Sequence, residues 1–217
     1  MANVFPKWCN WLPIRLLACG VVLGTTVVVG MSYYFTPKYV SIGYQPVQPI
    51  AFDHSIHATQ LGLDCRYCHT GVESSEHANI PNSQTCMNCH TQIRKDSPKL
   101  TALYDSWRTG QPIHWVRIHQ LPDHVYFNHS VHVNRGISCV RCHGNVNHMQ
   151  VVRQDQPLSM GWCLECHRHP EMQIRPTQFV FNLDWKPGAG FDQEVDGKRL
   201  VKEWNVSPPI TCAGCHR

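Results

Sequence analysis

The most continuous feature of the chain is an uncharged block, Leu16 to Phe35, reading LLACGVVLGTTVVVGMSYYF. About twenty apolar residues in a helix span a bilayer. Trp8 and Trp11 lie near one end and Tyr33, Tyr34 and Phe35 at the other, as interfacial aromatic belts do. Lys7 and Arg15 precede the block and Lys38 follows it, a bias that puts the N-terminus in the cytoplasm. A cleaved signal peptide would have an apolar core of about 7–15 residues and an A-x-A-like site after it. Val28-Val29-Gly30 is a poor site, so the pattern predicts an uncleaved single-pass anchor over 1–37. Gly20 and Gly24 have the spacing that packs helix on helix, and Cys9 and Cys19 read as small apolar residues of this segment.

Beyond the anchor the apolar pattern is short-ranged. Leu100, Leu103, Tyr104 and Trp107 recur at helical spacing. Ser97 stands before them as a cap, Pro98 takes the first helical position and Gly110 ends the run, so 97–110 predicts a helix. KPGAGFDQEVDG, Lys186 to Gly197, predicts a loop.

The next pattern is a repeat. Residues 51–69 read AFDHSIHATQLGLDCRYCH and residues 126–143 read YFNHSVHVNRGISCVRCH. Each has an aromatic residue, one residue, His-x-x-His, about ten residues, then Cys-x-x-Cys-His. Repeats mark a structural unit used more than once.

Ten of the 12 Cys form five such triplets: Cys65/Cys68/His69, Cys86/Cys89/His90, Cys139/Cys142/His143, Cys163/Cys166/His167 and Cys212/Cys215/His216. Roughly 0.05 copies would arise by chance. A redox dithiol explains neither the adjoining His nor five copies. Zinc takes four ligands, so motifs would have to share ions in pairs, and five leave one over. Haem c uses one Cys-x-x-Cys-His each: two thioethers to the porphyrin and a proximal His beneath the iron. The count therefore predicts five covalent haems c, attached in an oxidising compartment.

Five proximal His leave His54, His57, His77, His114, His119, His124, His129, His132, His148 and His169. His residues three apart on a helical turn project about 60° apart and can reach two irons. Each repeat then builds a haem pair. The first, 38–110, holds His54 and His57 with the motifs at Cys65 and Cys86. The second, 111–167, holds His129 and His132 with the motifs at Cys139 and Cys163. Residues 168–217 carry the fifth motif. For the fifth distal ligand the order of preference is His119, Met149, Met160, His148, His77; a Met there would raise that haem's potential.

From residue 38 onward there are about 36 residues for each motif. So thin a chain cannot build an ordinary core and also cover five porphyrins. The predicted class is a multihaem cytochrome c: short α-helices and loops around a haem core, with the N-terminal membrane helix. After Lys7 and Arg15 are removed from the 19 Lys plus Arg, 17 face 15 Asp plus Glu. Two propionates per haem would add up to about ten negative charges, partly offset by ferric iron. The basic residues then read as partners of propionates and of other proteins, with no nucleic-acid patch.

The F-x-H-x-x-H…C-x-x-C-H pattern resembles the small multihaem cytochromes of the c3 and c7 kind. That resemblance implies that His54 serves the haem on Cys65/Cys68 and His129 that on Cys139/Cys142, with His57 and His132 serving second haems, of the same module by preference. The anchor, the five motifs, WVRIHQLPDHVYFNHSVH and LSMGWCLECHR together resemble the pentahaem subunit of bacterial alternative complex III. That resemblance implies an electron-transfer subunit, not an enzyme on its own, in a quinol-oxidising respiratory complex. It implies iron–sulfur and quinol-binding membrane subunits as partners, and a monohaem cytochrome c or terminal oxidase downstream. It also implies the bacterial inner membrane, with the haem domain on the periplasmic side. The alternative is a stand-alone anchored quinol dehydrogenase feeding a periplasmic reductase. That type usually has four haems and often a Met two residues after a proximal His, whereas Thr70 and Gly71 follow His69. A multihaem reductase would leave one iron open, often through Lys in place of a proximal His; all five motifs end in His.

Overall fold

The computed structural model describes residues 5–36, 41–188 and 190–216. The chain divides into two compact units between Ser41 and Ile42. In the first, a 3-10 turn at Lys7–Trp11 leads into α1, Leu12–Tyr34. The helix is long and apolar enough to cross a membrane. It starts four residues before the uncharged block because Pro13 suits a first turn, where its missing N–H has no helical partner. The Thr26 hydroxyl bonds back to the Val22 carbonyl, so that polar group is satisfied within the helix. Lys38, counted in the charge bias above, lies outside the described residues.

The second unit is helical and loop-rich, and among the described residues it holds no strand. Its helices are α2 Cys65–Cys68, α3 Ser83–His90, α4 Thr101–Thr109, α5 His129–Val133, α6 Val140–His143, α7 Met160–Arg168, α8 Gln193–Glu203 and α9 Cys212–Cys215. A short π-helix, Ser55–Gln60, carries the first repeat's second His.

The predicted helix at 97–110 is present, with a 3-10 first turn at Pro98–Leu100. Ser97 is its cap by backbone only: its carbonyl accepts from Leu100 N–H, while its side chain makes no capping bond. Gly110 closes it at φ +71°, a left-handed position open to glycine. Leu103 is buried against Ile50 and Met87, and the Tyr104 hydroxyl donates to the His90 carbonyl. The helix therefore braces α3, which carries the second motif.

Lys186–Gly197 is a loop only over its first half. The structure begins α8 at Gln193, capped by Asp192, whose side chain accepts from Glu194 and Val195 N–H. Pairs Glu194–Lys198 and Arg199–Glu203 at i,i+4 support the helix. Gly197 sits inside it for packing, not for a turn: a Cβ there would collide with the Glu171 carbonyl. Along the chain alone, that glycine has the look of loop composition.

Apolar packing is confined to small clusters, one around Leu103 and one of Val72, Val133 and Val180. Larger-scale order comes from the repeats, which dock on one another reciprocally. His54 and Ser55 N–H both donate to the Met149 carbonyl, and the Thr59 hydroxyl donates to the Asn147 carbonyl. In exchange, Ser130 and His129 N–H donate to the Ser75 and Glu76 carbonyls, and the Asn134 amide donates to the Glu73 carbonyl. Thr59 and Asn134 each stand five residues after the first His of their repeat. Asn147 and Glu73 each stand four after its motif His. Each His-x-x-His turn thus rests on the segment behind the other repeat's Cys-x-x-Cys-His, in an approximately two-fold exchange.

Candidate functional site

Each Cys-x-x-Cys-His is one helical turn, which brings both thiols and the imidazole to one side. At the first, third and fifth motifs the His N–H closes on the first Cys carbonyl: His69 on Cys65 at 2.8 Å, His143 on Cys139 at 2.8 Å and His216 on Cys212 at 2.9 Å. Asp64 caps α2 by accepting from Arg66 N–H, Asn82 caps α3 and Ser159 caps α7. The motifs therefore sit on short capped helices that end at or just after the motif.

The thiols are not all interior, as attachment around a haem core leads one to expect. Cys89 departs from that expectation: it is exposed, whereas its motif partner Cys86 is half-buried. The reason lies in α3. Cys86 packs against the Leu103 cluster, and burial pushes its thiol up. Cys89 stands one turn later, outside that cluster, where the helix ends and its carbonyl accepts from Gln92 and Ile93 N–H. Cys212 of the fifth motif is exposed as well, and the other eight motif thiols are half-buried.

The His rings pair across gaps. His57 faces His90 with centroids 6.3 Å apart, His129 faces His143 at 6.3 Å, and His132 faces His167 at 6.2 Å. Two imidazoles on opposite sides of one metal, each bound at about 2 Å and each with about 1.1 Å from nitrogen to ring centre, have centroids about 6.3 Å apart. The gaps match that figure. Among the described residues no three His, Cys, Asp or Glu side chains gather into a metal-sized cluster. The unit is a pair of imidazoles beside two thiols, which fits a six-coordinate haem c and does not fit a zinc site.

The ring tautomers fit as well. Nδ1 of His57, His69, His90, His129, His132 and His167 lies 2.6–2.9 Å from a backbone carbonyl, of Asp53, Asn79, Ile93, Glu76, Asn128 and Pro209 in turn. An Nδ1–H donated to a carbonyl leaves the Nε2 lone pair free for iron and orients the ring. Phe52 and Phe127 hold the His-x-x-His pairs. Each meets the first His edge-on at 4.8 Å and stacks on the second, at 4.4 Å for His57 and 4.8 Å for His132. The aromatic residue was visible in the repeat, but its clamping of two rings was not.

His54 is largely buried. Burial, then the His69 and His57 charges, hold it down to about 4. Its Nδ1 is shielded from solvent and has no partner among the described residues. His119 stands beside the third motif: its Nε2 is 3.3 Å from Nδ1 of His143. The ring facing His216 is His124, with centroids 5.4 Å apart and planes 28° apart. A bridge between Val125 and His216 and the Tyr126 N–H bond to the Cys215 carbonyl hold this pair together. The other candidates for the fifth site are engaged differently. Met149 is buried, Met160 is exposed, His148 Nε2 is 2.7 Å from Asp184 and His77 is 3.3 Å from Glu76. His124 was available in the sequence, but only a long-range backbone pairing singles it out.

The motifs approach one another out of chain order. The Asn88 amide donates to the Tyr67 hydroxyl, linking the second and first motifs. Burial and then Cys86 push the Cys68 thiol up. Burial and then Cys65 push Cys139 up to about 11, which joins the first motif to the third. Burial and then Cys166 and Cys163 push Cys142 up to about 12, joining third to fourth. Cys163 is raised by burial, Cys166 and Cys215, and His167 bonds the Pro209 carbonyl just before the fifth motif.

The family described as cytochrome c7 and related cytochrome c matches residues 50–103 and 125–217. A relative in Nitratidesulfovibrio vulgaris, the multihaem cytochrome c subunit of a menaquinone reductase, is 26% identical over 180 residues, covering 70% of this chain and 84% of the relative.

Proposed function

Since the chain belongs to the family of cytochrome c7 and related cytochromes c, we propose that it is the five-haem electron-transfer subunit of a quinone-linked membrane complex. The three His pairs separated by 6.2–6.3 Å carry this reading. Haem c, when bound, supplies reversible one-electron chemistry at an iron. The chain supplies the thiols for attachment, at Cys65 and Cys68, Cys86 and Cys89, Cys139 and Cys142, Cys163 and Cys166, and Cys212 and Cys215. It supplies His69, His90, His143, His167 and His216 as proximal ligands. His54, His57, His129 and His132 are their distal partners in the order 69, 90, 143 and 167. His124, whose ring stands 5.4 Å from that of His216, closer than the roughly 6.3 Å of a bound pair, is the candidate distal partner of His216 in place of His119.

These residues hold the attachment sites in the order second, first, third, fourth, fifth. The two modules, 38–110 and 111–167, meet through their first sites, and 168–217 extends the row from the fourth. The row has two ends, one at Cys86 and Cys89 and one at Cys212 and Cys215. A donor and an acceptor would dock at these two separate ends, as a relay needs.

The anchor α1 would hold the chain in the bacterial inner membrane with the haem unit on the periplasmic side. The segments WVRIHQLPDHVYFNHSVH and LSMGWCLECHR favour alternative complex III, with iron–sulfur and quinol-binding membrane subunits and a monohaem cytochrome c or oxidase downstream. The relative's description as part of a menaquinone reductase favours a second reading, in which the same relay delivers electrons to quinone.

Isolation from native membranes in mild detergent tests the proposal. Multi-spanning membrane subunits should co-purify, and pyridine haemochrome analysis should give five haems for this chain, one per motif. Chain recovered alone, or four or fewer haems in mature protein, would overturn it. Quinol oxidation or quinone reduction by the isolated complex separates the two directions.

A further inference from the structure

We propose that His119 is a positioning residue for the haem on Cys139/Cys142, accepting the Nδ1–H of His143 and thereby setting that haem's potential apart from the rest. This rests on the pentahaem reading above.

Six ligand rings in this chain give Nδ1 to a backbone carbonyl at 2.6–2.9 Å. His143 gives it to a side chain: His119 Nε2 lies 3.3 Å away, the rings meeting edge to face at 79°. His129 stands 6.3 Å from the His143 ring, centroid to centroid, with nearly parallel planes, 11° apart. With Nδ1 of His143 engaged by His119, the Nε2 of His143 is the nitrogen left for iron. The His119 backbone is tied by its carbonyl, which accepts from Arg117 Nε at 3.1 Å.

The acceptor on a ligand's second nitrogen governs how strongly that ligand donates. More donation favours ferric iron and lowers the potential. At 3.3 Å the bond is longer and weaker than a carbonyl's at 2.6–2.9 Å. His143 thus donates less than the other proximal rings, and its haem stands higher in potential than a carbonyl-backed neighbour with the same ligands. That haem is the third motif's, at the junction of the two modules, so its potential sets the step between them.

Spectropotentiometry on the purified holoprotein tests this with two variants. His119→Phe keeps the ring's bulk without the acceptor. It should retain five haems and low-spin spectra that are silent to carbon monoxide, while one redox component shifts upward. His119→Gln offers an amide oxygen as acceptor and should return that component toward the unaltered position or below it. Carbon monoxide binding by His119→Phe would make His119 an iron ligand and overturn the proposal. Five unmoved components would reduce the contact to packing and overturn it too. If His119→Phe does not accumulate, His119→Leu removes the acceptor in its place: one component displaced upward upholds the proposal and none displaced refutes it. Fewer than five haems in the unaltered protein would instead refute the pentahaem reading.

Discussion

The two repeats share a clamp and differ in charge. In each, the residue before the first His caps the turn: Asp53 accepts from Ser55 N–H and Oγ–H, and Asn128 from Ser130 N–H and Oγ–H. In each, that residue's carbonyl takes Nδ1 of the second His. The Phe contacts also correspond. Geometry has been kept, so the rings stand alike before their irons. What differs is the field. Asp53 carries a carboxylate, held below its usual pKa first by the Ser55 hydroxyl bond, where Asn128 is neutral. His129 has a carbonyl for Nδ1, and His54 has no partner among the described residues. A duplicated scaffold can therefore hold two haem pairs at different potentials while keeping one ligand geometry.

The largest test asks whether both modules are needed for folding. Replacing Cys139 and Cys142 by Ala removes an attachment site at the junction, where apolar side chains alone leave little core. Holoprotein should fail to accumulate. The same change at Cys212 and Cys215 should leave a folded chain with four haems by pyridine haemochrome. Equal tolerance of both would break the picture of an interlocked centre and a terminal extension.

Next in size are the distal ligands. His57→Ala and His132→Ala should each keep all haem bound, because thioethers do not need the distal ring. Each should open one iron, which then binds one carbon monoxide per chain and rises in potential. Carbon monoxide binding by only one of the two variants would show that the repeats are not equivalent.

The clamp comes third. Phe127→Leu and Phe52→Leu remove a ring that stacks on one His and abuts another. Each should lower stability by about 1–2 kcal/mol in denaturant unfolding and broaden the low-spin resonance signals of its own pair. A change confined to the other module's signals would contradict the contacts.

The smallest effect is the charge. Asp53→Asn and Asn128→Asp exchange a cap for a cap of like shape. After solvent screening the carboxylate is worth up to about 1 kcal/mol of ferric stabilisation. The first change should raise the potentials of the first module's haems, and the second should lower those of the second module's. Shifts of the same sign in both variants would rule out the field as the difference.

The cytochrome c class was legible in the sequence because a Cys-x-x-Cys-His is a specification contained within five residues, and the matching family is one of cytochromes c. The long N-terminal helix was legible because its apolar run is unbroken. The 97–110 helix was legible from its Pro98 start, its Leu103 and Tyr104 face and its Gly110 stop. His54, His57, His129 and His132 could be nominated from their repetition. The resemblance gave His54 and His129 to the haems just downstream and left the second haems of His57 and His132 to preference; the ring gaps at His57–His90, His129–His143 and His132–His167 agree with that assignment. Other features had no local signature. Gly197 reads as a loop residue until Glu171 is seen packed against it. Cys89 reads like every other motif thiol until α3 is seen to bury Cys86 and leave it at the surface. His124 reads as one spare imidazole among several until the Val125–His216 bridge brings it opposite His216. His119 reads as the fifth motif's ligand until its Nε2 is found 3.3 Å from Nδ1 of His143. Motif spacing and apolar length are written into short runs of residues, so the chain alone determined them. Which imidazoles face one another and which motif neighbours which depend on contacts between segments tens of residues apart, and only the tertiary structure decided them.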